Sequence, residues 1–357
     1  MRLNRSMAIS ALAGVIALLS GGAAYADDNT LVIASYGGQF QDIQRKVFFE
    51  PFEKATGIKI REVSGISVAK VKSMVMTGNV EWDVFITSTA DFAQLSKGNF
   101  LQPIDYSKFD RTVLSQLDQG AAQPKVLGTE WTSQVIAWNT KQFPGNRHPD
   151  SWADVWNVKG FPGPRVMPAG DYAINPIEPA LLSAGSAKSV YPLDLDKAYV
   201  QLDRIRPSVV HWVNSGSAVP QALVDGEGVV GMANSTRIQE LKDKGAPVDF
   251  TWNQGVVSMS YWAIPRGAKH VPAALKFLEF ASEAGPQAEL AKNNIAPVNH
   301  AAFTLLTADQ KARLASEPAN LAKQFQLQPD EWMKPGKGAR TVYDDNISRW
   351  ITWSAAK

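Results

Sequence analysis

The stretch Leu31-Val32-Ile33-Ala34-Ser35-Tyr36-Gly37-Gly38 decides the fold class. Four apolar residues make a buried strand, and a small polar turn with two glycines hands the chain to a helix. That helix is expected over about 39–55, because Phe40, Ile43, Val47 and Phe52 fall roughly on one face at three- to five-residue steps. Gly57 reads as its stop. A second strand over 58–63 follows, then a helix carrying Val68, Val71, Met74 and Val75. A buried strand over 83–87 runs into Ser88-Thr89 and a further helix. The order β-α-β-α-β-α predicts an α/β fold with a mostly parallel sheet covered by helices.

Further along, 130–138 is a long strand candidate, after which 141–170 turns rich in Pro and Gly and marks the crossing into a second domain. That domain repeats the alternation. Strands are expected near 165–167, 209–212, 228–233 and 248–252, and helices near 177–184, 194–205, 218–224 and 235–243. A strand over 256–264 returns the chain to the first domain, and helices at about 271–283 and 285–292 follow. The expected architecture is two lobes, each with a mostly parallel sheet flanked by helices, joined by a hinge of two crossing strands. Residues 27–137 plus about 264–320 form lobe 1, 138–263 form lobe 2, and 321–357 make a C-terminal helical segment packing on both. Its aromatic anchors are Trp332, Tyr343, Trp350 and Trp353. Ligands of open α/β sheets sit outside the carboxyl ends of strands, so the loops after Ala34, Thr87, Trp212 and Ala233 should face the cleft between the lobes.

The N-terminus reads as an address. Arg2 and Arg5 precede an apolar run over 7–20, and Ala24-Tyr25-Ala26 offers a cleavage site before Asp27. The run is shorter than the ~20 residues that span a bilayer. Residues 1–26 are therefore expected to be a cleaved signal peptide, and the mature chain a periplasmic protein. The chain has 357 residues and no cysteine, which excludes a lipid-anchored N-terminal cysteine, a disulfide scaffold, a zinc–thiolate site and a thiol nucleophile. Without Arg2 and Arg5, the 36 basic residues become 34, equal to the 34 acidic ones. That balance argues against a nucleic-acid partner.

Each cleft-facing loop is small, polar and followed by a helix start: Ser35-Tyr36-Gly37-Gly38, Ser88-Thr89, Ser215-Gly216-Ser217 and Asn234-Ser235-Thr236-Arg237. Helix N-termini present unpaired N–H groups and a positive dipole end, which suits ligand oxygens; ordinary capping by Ser, Thr and Asn explains the same residues. Tyr36, Trp131, Trp212, Tyr261 and Trp262 lie near strand ends, where rings could hold an aliphatic or cationic ligand. Asp171, Glu178 and Asp225 are second-lobe carboxylates for an amine. Catalytic patterns are poor. His148, His211, His270 and His300 have no metal-binding spacing, so no metal is expected. The nearest approach to a nucleophile elbow, Gly65-Ile66-Ser67-Val68-Ala69, ends in Ala.

Ordered along the chain, several stretches resemble the periplasmic solute-binding proteins of ABC importers, the spermidine/putrescine-binding type in particular. They are the signal peptide, the opening 31–38 run, Pro51-Phe52-Glu53-Lys54-Ala55-Thr56-Gly57-Ile58-Lys59-Ile60, Trp82-Asp83-Val84, Asn99-Phe100-Leu101-Gln102-Pro103-Ile104-Asp105, and Ala137-Trp138-Asn139-Thr140. Ser151-Trp152-Ala153-Asp154-Val155-Trp156, Val224-Asp225-Gly226-Glu227-Gly228, Ala263-Ile264-Pro265-Arg266-Gly267-Ala268 and Ala296-Pro297-Val298-Asn299 continue the series. The resemblance implies a small-molecule ligand between two lobes, an inner-membrane permease as partner, no catalysis and no cofactor. Tyr36 and Ser88 match first-lobe contact positions. Ala233 stands where a family Trp-Asn-Gly run has its Trp, and Ser258 and Ser260 stand where the family carries a Trp and an Asp. Both departures remove amine-recognising groups. Arg237 near the cleft suits a carboxylate, so the ligand is expected to be a polyamine or an amino-acid-like amine and carboxylate.

The expected ligand contacts are Tyr36, Gly37, Ser88, Thr89, Trp131, Trp212, Ser217, Asn234, Arg237, Ser260 and Tyr261, in a monomer. Alternatives are a secreted serine hydrolase using Ser67 or another serine with a distant His, and a chemosensory binding protein that docks to a receptor.

Overall fold

The computed structural model describes residues 29–172, 174–185, 190–337 and 340–356; the 1–26 leader lies outside the described residues. The strands are β1 (Thr30–Ser35), β2 (Lys59–Ser64), β3 (Val84–Ser88), β4 (Ala122–Gln123), β5 (Val126–Asn139), β6 (Arg165–Pro168), β7 (Val209–Val213), β8 (Val230–Asn234), β9 (Val248–Ala263), β10 (Ala296–Pro297) and β11 (Phe325–Gln326). They join one hydrogen-bonded path in the order β2-β1-β3-β9-β5-β8-β6-β7. The outer three strands at each end run parallel to one another. The middle of the path is the antiparallel pair β5 and β9, shared by both ends.

Alternation along these strands explains the layers. In β1, Leu31 and Ile33 join Phe48, Phe49, Phe52 and Phe277 in one core, while Val32 and Ala34 join Val71, Met74 and Phe85 in another. Both faces are covered by helices, which is why the strand reads as a continuous apolar run. The other end of the path repeats the pattern. Ile136, Met167 and Met232 pack with Trp152, Tyr199 and Leu202, whereas Ala137, Val166 and Ala233 pack under Val219, Leu223 and Ile238.

The expected helix over 39–55 is one continuous helical rod in three parts, Gly38–Gln44, a wider π-helical turn Arg45–Phe49, and Glu50–Thr56. Pro51 has no N–H to return to the preceding turn, and the widened turn sits just before it. The strands expected over 248–252 and 256–264 are a single strand, β9. Its register against β5 jumps from Gln134↔Val256 to Ile136↔Thr251, so 252–255 bulge out of the ladder where the two ends of the path meet. Gln254 takes a left-handed conformation there, φ 57°. The C-terminal segment adds a third passage at this level. β11 pairs in parallel with Val256 and Val257, and the Gln254 amide donates to the Lys323 carbonyl. The segment ends in the helix Val342–Ala355, held against the second end of the path by Asn346, which donates to the Gly170 carbonyl, and by Trp350 and Trp353 packed on Trp212.

Candidate functional site

Beside the β5–β9 crossing lies a cavity of about 670 Å³. All four loops singled out in the sequence reach it, through Tyr36 to Phe40, Ser88 to Asp91, Ser215 with Gly216, and Asn234 with Thr236 and Arg237. Parallel strands of one hand place their following loops on one edge, and the two ends of the path turn those edges toward each other. Capping accounts for part of this polarity. The Ser88 hydroxyl accepts from the Asp91 amide, and the Asn234 side chain accepts from the amides of Thr236 and Arg237. Gly37 caps without a side chain, at φ 82°, where its amide donates to Gln41. A Cβ there would lie 3.1 Å from Ser64 Cβ, so the turn is both left-handed and tight.

Eight of the expected contacts, Tyr36, Gly37, Ser88, Thr89, Trp131, Asn234, Arg237 and Ser260, line the cavity. Three do not. Trp212 packs edge-on against Trp350 and Trp353, 5.2 and 5.4 Å away, and its neighbour Val213 lines the cavity instead. Tyr261 is turned to the opposite face of β9 from Ser260, packs on Phe92 and accepts a hydrogen bond from Gln123. In each case the two-residue period of a strand sends adjacent side chains to opposite faces. Ser217 directs its hydroxyl to that of Ser215, 3.0 Å away, outside the lining. Of the second-lobe carboxylates, Glu178 lines the cavity, while Asp225 accepts from Gln221 on an exposed helix face and Asp171 lies outside the lining.

The cavity wall carries four carboxyl groups, Asp91, Glu130, Glu178 and Glu240, against one cation, Arg237. Sequence reasoning does not single out Glu130. It is 2% exposed on β5, directly opposite Ser260 of β9 in the ladder. Burial raises its carboxyl to a pKa of about 7, against the favourable effect of the Ser260 hydroxyl on the charged form. Its Oε2 has no hydrogen-bond partner among the described residues. Glu178, equally buried, is also raised to about 7 by burial, but it accepts from Trp332 Nε1 at 2.7 Å and from the Tyr191 hydroxyl at 3.1 Å. Burial raises Asp91 as well, offset by Ser88. Tyr36 is 44% exposed and leans on Phe40. Desolvation of its hydroxyl, then Glu130 and Asp91, push its pKa up.

Arg237 makes no ion pair within 4 Å among the described residues, so its guanidinium is available to a solute. Glu240, one turn along the helix Ser235–Asp243, feels its charge. A Cβ on Gly216 would meet the Tyr172 hydroxyl at 3.5 Å and Arg237 Nε at 3.7 Å. Gly216, Tyr172 and Arg237 thus come together at one corner of the cavity.

A cleft-edge cavity at a double-strand crossing, lined by loops from both ends of the sheet, defines a solute-binding protein. Residues 48–320 match the family of bacterial extracellular solute-binding proteins, and the chain belongs to that family. It is 29% identical to the gamma-aminobutyric acid-binding protein of Pseudomonas aeruginosa, over 88% of this chain and 90% of that protein. It is 26% identical to the spermidine/putrescine-binding periplasmic protein of Escherichia coli, over 93% and 94%. Among solved structures, an ABC transporter substrate-binding protein from Bradyrhizobium japonicum superposes with a TM-score of 0.83 at 31% identity, covering 91% of this chain and 99% of that one. The protein AgtB of A. tumefaciens, in complex with agropinic acid, does so with 0.77 at 33%, covering 91% and 98%. The chain is thus a solute-binding component of ABC transport, working outside the cytoplasm with a membrane permease. Its relatives are binding proteins, not enzymes. Ser67 serves the fold instead, capping the helix Val68–Thr77 by accepting from the Lys70 amide.

Proposed function

We propose that this protein, exported by the 1–26 leader, captures a small solute bearing both an amino group and a carboxylate, of the γ-aminobutyrate kind, and delivers it to a permease. The observation that carries this reading is that the cavity holds both kinds of charge: four carboxyl groups, and one guanidinium without an ion pair, Arg237, beside Tyr172 and Gly216. A carboxylate on Arg237 gains a charge-assisted hydrogen bond that a diamine cannot make. The gamma-aminobutyric acid-binding relative supports the same chemistry by its name. Because lining residues come from both ends of the sheet path, a bound solute favours their approach, and the bulge at 252–255 is the natural place to bend.

A polyamine is the second reading, favoured by the four carboxyl groups on the wall and by the E. coli relative. It leaves Arg237 facing a cation. Thermal-shift titration separates the two. A ligand at 100 times its Kd stabilises by about 2.7 kcal/mol, readily seen as a raised melting temperature. The expected result is a response to γ-aminobutyrate and related amino acids that Arg237→Gln weakens at least tenfold. A response confined to putrescine and spermidine would replace the proposed solute.

A further inference from the structure

We infer that Glu130 is the ammonium receptor of this cavity, forming with the Tyr36 and Ser260 hydroxyls a three-acceptor seat for the amino group of the solute. The inference rests on the cavity being the solute site and names the groups that read one end of its ligand.

Three observations on different elements converge. First, Glu130 is buried in a strand covered on both faces, yet lines the cavity, and its Oε2 lacks a partner among the described residues. A buried carboxyl is ordinarily paired or hydrogen-bonded, because taking it out of water without compensation is costly. A cationic ligand supplies the missing partner.

Second, of the four wall carboxyls only Glu130 has a buried oxygen without a partner among the described residues. Glu178 is tied through Oε1 to Trp332 and Tyr191, and Glu240 lies one turn from Arg237 and feels its charge and that of Lys244. Third, the geometry beside Glu130 fits an ammonium. Ser260 is its cross-strand neighbour and lines the cavity together with Tyr36, which feels the Glu130 charge. An ammonium has three N–H donors, and this corner offers a carboxylate oxygen and two hydroxyl oxygens. No lysine or arginine other than Arg237 lines the cavity, among the described residues, to compete for the carboxylate.

The test is isothermal titration of the wild type, Glu130→Gln and Arg237→Gln with γ-aminobutyrate, its deaminated counterpart butyrate, and putrescine. The assignment predicts that γ-aminobutyrate binds the wild type far more tightly than butyrate. Glu130→Gln should weaken γ-aminobutyrate at least tenfold, leave butyrate as it was, and melt, unliganded, at or above the wild-type temperature. Wild-type affinity for γ-aminobutyrate in Glu130→Gln, or equal binding of butyrate and γ-aminobutyrate by the wild type, would overturn it. So would a variant that melts well below the wild type, since the carboxyl would then serve the fold. If Glu130→Gln loses putrescine while Arg237→Gln changes nothing, the seat stands and the amino-carboxylate reading falls. If only Arg237→Gln loses γ-aminobutyrate, the reading stands and the seat falls. If neither amine binds the wild type, both fall.

Discussion

Glu178 and Glu130 show how one residue type serves two ends within a single cavity. Both are buried and both are raised to about 7 from the ordinary 4.5. Glu178 is tied to Trp332 and Tyr191 and so links the helix Ile177–Ser183 to the C-terminal segment; Glu130 keeps an oxygen for something else. A raised carboxyl pKa has a definite sign in stability. The folded state holds the proton longer than the unfolded chain, so its stability declines as pH rises from about 4.5 through about 7, then levels. Calorimetry should show the melting temperature falling across that window, with Glu178→Gln reducing the fall by up to roughly 3 kcal/mol in stability. A Glu178→Gln profile that overlays the wild type would contradict it. Glu130 is hard to see in the sequence because a lone acid in Thr129-Glu130-Trp131-Thr132 looks like a solvent-facing strand position. The available signal is its setting, a charge inside a long strand between the apolar Leu127 and Trp131.

At the level of elements, strand parity separates what is legible from what is not. Loops after strands can be placed from composition, since the small polar turns Ser35 to Gly38, Ser88-Thr89 and Asn234 to Arg237 announce helix starts. Trp212 and Tyr261 miss the cavity by one position, and one position in a strand is the whole difference between cavity and core. In the sequence β9 reads as two separate strands because Asn253-Gln254-Gly255 has the look of a loop. It is a bulge held inside β9, with Gln254 accepting from the Trp152 amide and the Trp152 indole. A Cβ on Gly255 would meet Ser133 Oγ at 2.9 Å and Gln324 Oε1 at 3.1 Å, where all three passages come together. Gly255→Val should therefore cost about 1–3 kcal/mol by overpacking, read as a lower urea midpoint. An unchanged midpoint would mean the three passages part easily.

For the whole molecule, the proposed clamp makes a claim about shape. Small-angle scattering should record a smaller radius of gyration when saturating γ-aminobutyrate is added, and Arg237→Gln should need a much higher concentration for the same change. Scattering that stays the same at saturation would point to a rigid receptacle. The third passage constrains any such motion, because the segment from β11 to the helix Val342–Ala355 touches the crossing at Val256 and then holds the second end of the sheet through Asn346, Trp350 and Trp353. By itself the sequence determined the α/β class and which loops line the cavity, because hydrophobic period and turn composition are local properties. Only the tertiary structure decided which face each strand residue takes, that β9 is continuous through the bulge at 252–255, and that Glu130 stands opposite Ser260. Those facts depend on register between segments more than a hundred residues apart, and local pattern carries no information about register.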